Sequence, residues 1–208
     1  MTSNRLLTRV LPLTALAVLF LAMFYLGTGD TDKDILFALY ARDVPWLAAT
    51  ALAVTQLGNW WTVIGITAVG VLWLFYRGDR WGAVTLMLAS FGGRLLVMLM
   101  KDFFARLRPD EHLRLVEVQS DSFPSGHSAN PMVAYLPMAL LLFHDEKHRR
   151  IAAAFAISLA LLSGLSRPML GVHWPSDVIA GWSFGLLWVA FVFAVMERWK
   201  PVSATDGS

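Results

Sequence analysis

The sequence predicts an all-α integral membrane protein, a bundle of six crossing helices with a short interfacial helical segment. Three observations lead there. Hydrophobic residues make up 57% of the 208-residue chain and charged residues only 15%, against roughly 25% charged in an average soluble domain. The apolar residues gather in runs close to the roughly 20 residues that a bilayer crossing needs. The polar residues fall in short segments between those runs, with no internal repeat and no composition break, so residues 1–208 read as one membrane-embedded domain. The net charge of +2 is mild and the basic residues are dispersed, which gives no case for a nucleic-acid partner. There is no cysteine, which excludes disulfides, thiolate-held zinc and thiol catalysis.

Taken in order, Arg5 and Arg9 precede an apolar run from Val10 to Gly27. A cleavable leader has a core of about 7–15 residues, so this longer run is expected to stay as the first span, about 10–27. Asp30, Asp32 and Asp34 follow, and Thr31 with Asp34 resembles a capping box that opens a short amphipathic helix at the interface. From Val44 to Tyr76 the chain is apolar for too long to be one crossing, and Gly58-Asn59 is the natural break. Residues 45–57 are then interfacial or re-entrant and 60–76 form the second span, with Trp60 and Trp61 at one surface and Trp73 and Tyr76 at the other. The turn at Arg77–Arg80 leads to a third span, about 81–100, and a polar stretch reaches to about Ser122. The remaining spans are expected at about 127–143, 151–166 and 177–196, the first of them kinked by Pro131 and Pro137, with a polar tail after the last.

Loop charge sets the orientation. Arg5, Arg9, Arg77, Arg80, Lys147, Arg149, Arg150, Arg198 and Lys200 fall on one side. Lys33, Arg42, Lys101, Arg106, Arg108, Arg114 and Arg167 fall on the other, and three of these belong to the chemical clusters described next. The termini are therefore expected in the cytoplasm.

Three polar clusters share the outer side. In the first, Lys101 to Pro109, a third helix continuing beyond the lipid would align Arg94, Lys101 and Arg108 on one face, three cations that invite an anion. Snorkelling at a helix end, or pairing of Arg94 with Asp102 or Asp121, is the plainer reading. In the second, Phe123 to Ser128, Ser125 caps the fourth span, Gly126 lets the backbone approach a ligand, and His127 lies in the first turn with a nitrogen free to donate a proton. A helix N-terminus with free N–H groups suits a phosphate. In the third, Ser166 to Asp177, Pro175 starts a helix and the Asp177 carboxylate can reach back to the His173 ring. That pairing fixes the tautomer and leaves the other ring nitrogen nucleophilic.

Lys101-x6-Arg108-Pro109, then Pro124-Ser125-Gly126-His127, then Ser166-Arg167-x5-His173-x3-Asp177 resembles the type 2 phosphatidic acid phosphatase family, the membrane relatives of the vanadium haloperoxidases. All eleven marked positions match in order and spacing. The resemblance implies a metal-independent, cofactor-free phosphatase that acts on a lipid phosphate in the membrane through a phosphohistidine. Family substrates include phosphatidate, phosphatidylglycerophosphate, undecaprenyl diphosphate, sphingoid phosphates and lipid A. On this reading Lys101, Arg108 and Arg167, with the Ser125 hydroxyl and Gly126 N–H, cradle the phosphate. His173 attacks phosphorus, Asp177 stabilises the charged ring, and His127 protonates the leaving group and then activates water. No metal-ligand set is expected. The expected setting is a bacterial inner membrane, with the site facing the periplasm or exterior. A lipid phosphotransferase using the same intermediate is the nearest rival, and a non-catalytic lipid-phosphate binder or transporter a more distant one.

Overall fold

The protein is seen in a computed structural model that describes residues 2–200, with side chains from residue 10. The side chains of Arg5 and Arg9, and the polar tail from 201, lie outside the described residues. The described residues are all-helical, and the order of their helices follows the order of the apolar runs.

Helix α1 (Thr2–Leu26) ends in a turn where Thr28 takes a positive φ of 68°, and α2 (Asp30–Leu39) leaves at 96° to it. The expected capping box does not form. The N-cap is Gly29, so Thr31 already lies inside the helix and has no N-terminal N–H to serve. Asp32 turns back instead and accepts from the Thr28 N–H at 2.8 Å. Helix α2 thus runs nearly perpendicular to α1, with Leu36 buried and Phe37 exposed.

Helix α3 (Pro45–Thr55) starts on its proline and tightens into a 3₁₀ turn, Gln56–Gly58. The chain bends by 45° at Asn59. Asn59 caps α4 (Trp60–Tyr76) by accepting from Trp61 N–H at 3.2 Å. The break is where the sequence predicts it. A Cβ on Gly58 would stand 2.1 Å from Ser163 Oγ and 2.8 Å from the His127 carbonyl, so only glycine lets this turn seat against the helices of the site.

The third predicted span is a longer, interrupted rod. Helix α5 (Arg80–Met87), capped by Asp79, passes through a π turn at Leu88–Gly92 into α6 (Gly93–Phe104). Trp188 fits against Gly92 and Gly93 here and donates its indole N–H to the Ala89 carbonyl at 2.9 Å, the kind of intrusion that opens a helix to a π turn. Helix α6 stops where Ala105 turns left-handed, with φ 45°. A helix running on to Arg108 is therefore not seen: Arg94 and Lys101 share a face of α6, and Arg108 comes from the loop beyond.

Helix α7 (Gly126–Leu142) is the enclosed centre of the bundle, with α4, α6, α8 (Glu146–Met169) and α9 (Pro175–Trp199) around it. Small residues set the spacing: Gly181 comes against Ser125 and Ser128, Gly185 against Met132, and Trp182 lies over Gly164, a close-packing mode suited to helices in lipid. Helix α8 runs past the expected end at 166 to Met169, and this places Arg167 on its last turn. Three helical rods, Arg80–Phe104, Glu146–Met169 and Pro175–Trp199, are long and apolar enough to cross a bilayer, or five if the two bent pairs each count as a span. Val69, Leu72, Leu95, Phe155 and Phe191 stand exposed on the outer faces, as in a membrane protein whose rods meet lipid.

Candidate active site

A cavity of about 300 Å³ opens at one end of the bundle, and Lys101, Arg108, Gly126, His127, Arg167 and His173 all line it. Three elements and two loops converge there. Helix α6 supplies Lys101, the first turn of α7 supplies Gly126 and His127, and the last turn of α8 supplies Arg167. The loop after α6 brings Arg108, and the turn between α8 and α9 brings His173. Ser125 and Asp177 stand behind the wall, fully buried.

The His173 ring is 2% exposed and held at both nitrogens. Arg108 Nη1 lies 3.0 Å from Nε2, and Asp177 Oδ2 lies 3.3 Å from Nδ1. A guanidinium keeps its protons in proteins and can only donate. Nε2 must therefore be the accepting, unprotonated nitrogen, and Nδ1 carries the proton toward Asp177. Burial first, then the Arg108 charge and the other cations of the cavity, hold the imidazole well below its ordinary pKa, so the ring is neutral. The geometry thus presents an aligned lone pair with a cation beside it.

Asp177 is enclosed in donors. Its Oδ2 accepts from Ser122 Oγ at 2.5 Å and from the Trp174 N–H at 3.0 Å, and its Oδ1 pairs with Arg106 Nη1 at 2.9 Å. Arg106 is itself 8% exposed. It donates further to Ser176 Oγ and to the carbonyls of Met23 and Phe24 at the end of α1, with Phe123 stacked 4.3 Å below its guanidinium. Asp32 then grips Ser176, accepting from its N–H at 2.9 Å and its hydroxyl at 2.6 Å. The spacing of the motifs gives no sign of Arg106, Ser122 or Asp32 as site residues, because each is joined to Ser176, Asp177 or His173 across long sequence separations.

The cations are fixed by uncharged oxygens, two of them by backbone carbonyls and Arg167 by a hydroxyl, not by acids. Lys101 donates to the carbonyls of Asp121 and Ser122. Arg108 donates to the carbonyls of Ser120, Asp121 and Val172; burial lowers its pKa to about 10, so it stays charged at neutral pH. Arg167 donates to Thr55 Oγ1 at 2.7 Å while its Nε has no partner. Anchoring by uncharged oxygens leaves the positive charge uncancelled, which is what an anion site needs. Ser125 occupies the N-cap of α7, but its hydroxyl makes no cap bond and has no protein partner. The N–H groups of that first turn lie at the cavity wall. Arg94 pairs with neither Asp102 nor Asp121; its guanidinium lies 4.9 Å over the Trp60 ring, within the cavity lining. Among the described residues no three His, Cys, Asp or Glu side chains gather as a metal-ligand set.

A buried, acid-held histidine facing three cations held by uncharged oxygens is an arrangement suited to phosphoryl transfer. Residues 80–201 match the family model described as the PAP2 superfamily. The chain belongs to the PAP2 superfamily. Among its PAP2 relatives, phosphatidylglycerophosphatase B of Bacillus subtilis is 36% identical over 82% of this chain and 86% of that protein. An undecaprenyl-diphosphatase of Sulfolobus acidocaldarius is 29% identical over 83% of this chain and 73% of that protein. The crystal structure of a transmembrane PAP2-type phosphatidylglycerolphosphate phosphatase from Bacillus subtilis superposes with a TM-score of 0.82, at 30% identity, covering 90% of this chain and 97% of that one. The PAP2 match begins at α5, so Asp32, Thr55 and the carbonyls of Met23 and Phe24 join the site from outside the matched region.

Proposed function

We propose that the protein is a lipid phosphatase that removes a phosphate monoester, or the terminal phosphate of a diphosphate, from a membrane lipid such as phosphatidate, phosphatidylglycerophosphate or undecaprenyl diphosphate. The observation that carries this reading is the His173 ring, with Nδ1 on Asp177 and Nε2 turned to Arg108 in the cavity.

Arg108 donates to the nitrogen that must attack. The incoming phosphate draws the guanidinium onto its own oxygens and frees that lone pair. Lys101, Arg108 and Arg167 then hold the phosphoryl oxygens, with the α7 N-terminal N–H of Gly126 and the unpartnered Ser125 hydroxyl as further donors. His173 Nε2 forms the P–N bond as the bond from phosphorus to the leaving oxygen breaks, and His127 delivers a proton to that oxygen. The ring becomes cationic, and Asp177, held by Arg106 and Ser122, stabilises it. Water then attacks phosphorus, gives a proton to His127 and breaks the P–N bond, which restores both histidines and releases inorganic phosphate. Positive side chains do the charge stabilisation, so turnover needs no metal ion.

The chain is read as one membrane domain, residues 1–208, with six crossings: α1, α4, α5–α6, α7, α8 and α9. In this reading α7 crosses inside the others, shielded from lipid, which is why its sequence tolerates two prolines, and α2 and α3 lie at the outer surface. The Lys- and Arg-rich turns at Arg77–Arg80 and Lys147–Arg150 support cytoplasmic termini and a site facing outward from a bacterial inner membrane.

Phosphate release by purified protein from a panel of lipid phosphates, with His173→Ala beside it, tests the reading. Wild-type release without any acceptor lipid, unaffected by chelator, and no release by the variant are expected. Full turnover by His173→Ala, or loss of activity on chelation, overturns it; release that needs an acceptor lipid makes the protein a transferase.

A further inference from the structure

The cavity has an inner end that the phosphate cradle does not use. Arg94 lies two turns below Lys101 on the same face of α6, about 10 Å along the helix axis. Its guanidinium rests 4.9 Å over Trp60 at the start of α4, and no carboxylate pairs with it among the described residues. Asn130 of α7, 6% exposed, lines the cavity as well. Arg94, Trp60 and Asn130 all line the same cavity as His173. Met98, one turn above Arg94, lines that cavity and is 50% exposed. The cavity therefore reaches the surface at Met98, on the side walled by Trp60 of α4 and by α6, with Arg94 beside that exit.

A lipid whose terminal phosphate sits at His173 has to leave its tail through that opening. Whatever joins the scissile phosphate to the tail passes Arg94. A buried-edge cation without an acid is stabilised by an anion with several acceptor oxygens. Phosphatidate offers only ester oxygens there. A lipid diphosphate, or a lipid whose terminal glycerophosphate follows a phosphodiester, offers a second phosphate.

We propose that Arg94, braced on Trp60, is a specificity-determining residue that binds a second, non-scissile phosphate, so that the enzyme prefers lipids carrying two phosphates over those carrying one. This rests on the lipid-phosphatase reading above. It assigns Arg94 a role separate from Lys101, Arg108 and Arg167: the cradle recognises the phosphate that leaves, and Arg94 the phosphate that stays on the product.

The test uses purified wild type, Arg94→Gln and Arg94→Lys in detergent micelles, with two matched substrate pairs. One pair is phosphatidylglycerophosphate and phosphatidate with the same acyl chains, and the other is a polyprenyl diphosphate and the corresponding monophosphate. The readout is the two-phosphate to one-phosphate ratio of kcat/KM. In Arg94→Gln that ratio should fall by about 10- to 100-fold, the loss of one charge-assisted contact, mainly through KM, with Arg94→Lys in between. The pair in which the ratio falls identifies the linkage of the second phosphate. An unchanged ratio in both pairs, whether because Arg94→Gln is fully active or because it loses all substrates equally, overturns the inference. A wild type that hydrolyses none of the four lipids instead overturns the phosphatase reading on which it stands.

Discussion

Arg106 decides whether Asp177 can be an anion at all. The carboxylate is fully buried, and Arg106 is the only full charge that pairs with it among the described residues, because the His173 ring on its other side is neutral. Removing one partner of such a pair costs about 3–5 kcal/mol, because the other is left charged or must neutralise. Arg106→Leu is therefore expected to lower the unfolding midpoint in detergent sharply and to lower kcat even in the fraction that folds. Ser122→Ala removes one bond to the same carboxylate; a loss of about 1–3 kcal/mol in stability with a fall in kcat and little change in KM is expected from unfolding curves and initial rates. The pH profile has a definite sign. Protonation removes the His173 lone pair, so the rate falls as pH drops through its pKa. Burial and Arg108 depress that pKa, which puts the acid limb of kcat/KM below the ordinary histidine value of about 6.5. Arg108→Gln relieves the second of these causes and should move the limb upward while weakening binding; a limb that starts above 6.5 in the wild type would count against a neutral His173. At this scale the sequence is legible where spacing is local. His173 and Asp177 sit four residues apart, and their pairing follows from a helix that starts at Pro175. Arg106 and Ser122 reach Asp177 across 71 and 55 residues, and no local pattern encodes that.

Helices matter here chiefly through their ends. The break at Gly58-Asn59 is legible because a glycine and a capping asparagine interrupt an apolar run, and that turn is what seats Thr55 against Arg167. Gly58→Ala sets a Cβ on Ser163 Oγ and the His127 carbonyl. Overpacking of this kind costs about 1–3 kcal/mol, and because His127 must shift, activity should fall by more than stability alone explains, as rates normalised to folded protein would show. The ends of α6 and α8 are not legible. Apolar content falls before Arg167 although the helix continues, and Ala105 ends α6 in a left-handed turn without a glycine to announce it. In α2 the acidic residues look like a helix start, yet only Asp32 is buried, and it serves Ser176 on α9. Asp32→Asn should lower the unfolding midpoint and reduce kcat, whereas the exposed Asp34→Asn should leave both near wild type; equal effects at the two positions would remove Asp32 from the site's support.

For the molecule as a whole, composition is enough to place the chain in a membrane and to predict an all-helical bundle, because the lipid permits little else. What composition leaves open is which rods touch. The eleven motif positions all lie between 101 and 177, and the family match begins at 80, so a fragment starting there would carry every residue the motifs name. The guanidinium of Arg106 sets such a fragment apart from the whole chain. One end of its fork holds the last two carbonyls named on α1, 82 and 83 residues earlier in the chain, and the other holds α9, 70 and 71 residues later. One side chain therefore ties the first helix to the last beneath the site, and phosphate release by a chain beginning at residue 80 is expected to fall although it keeps every motif residue.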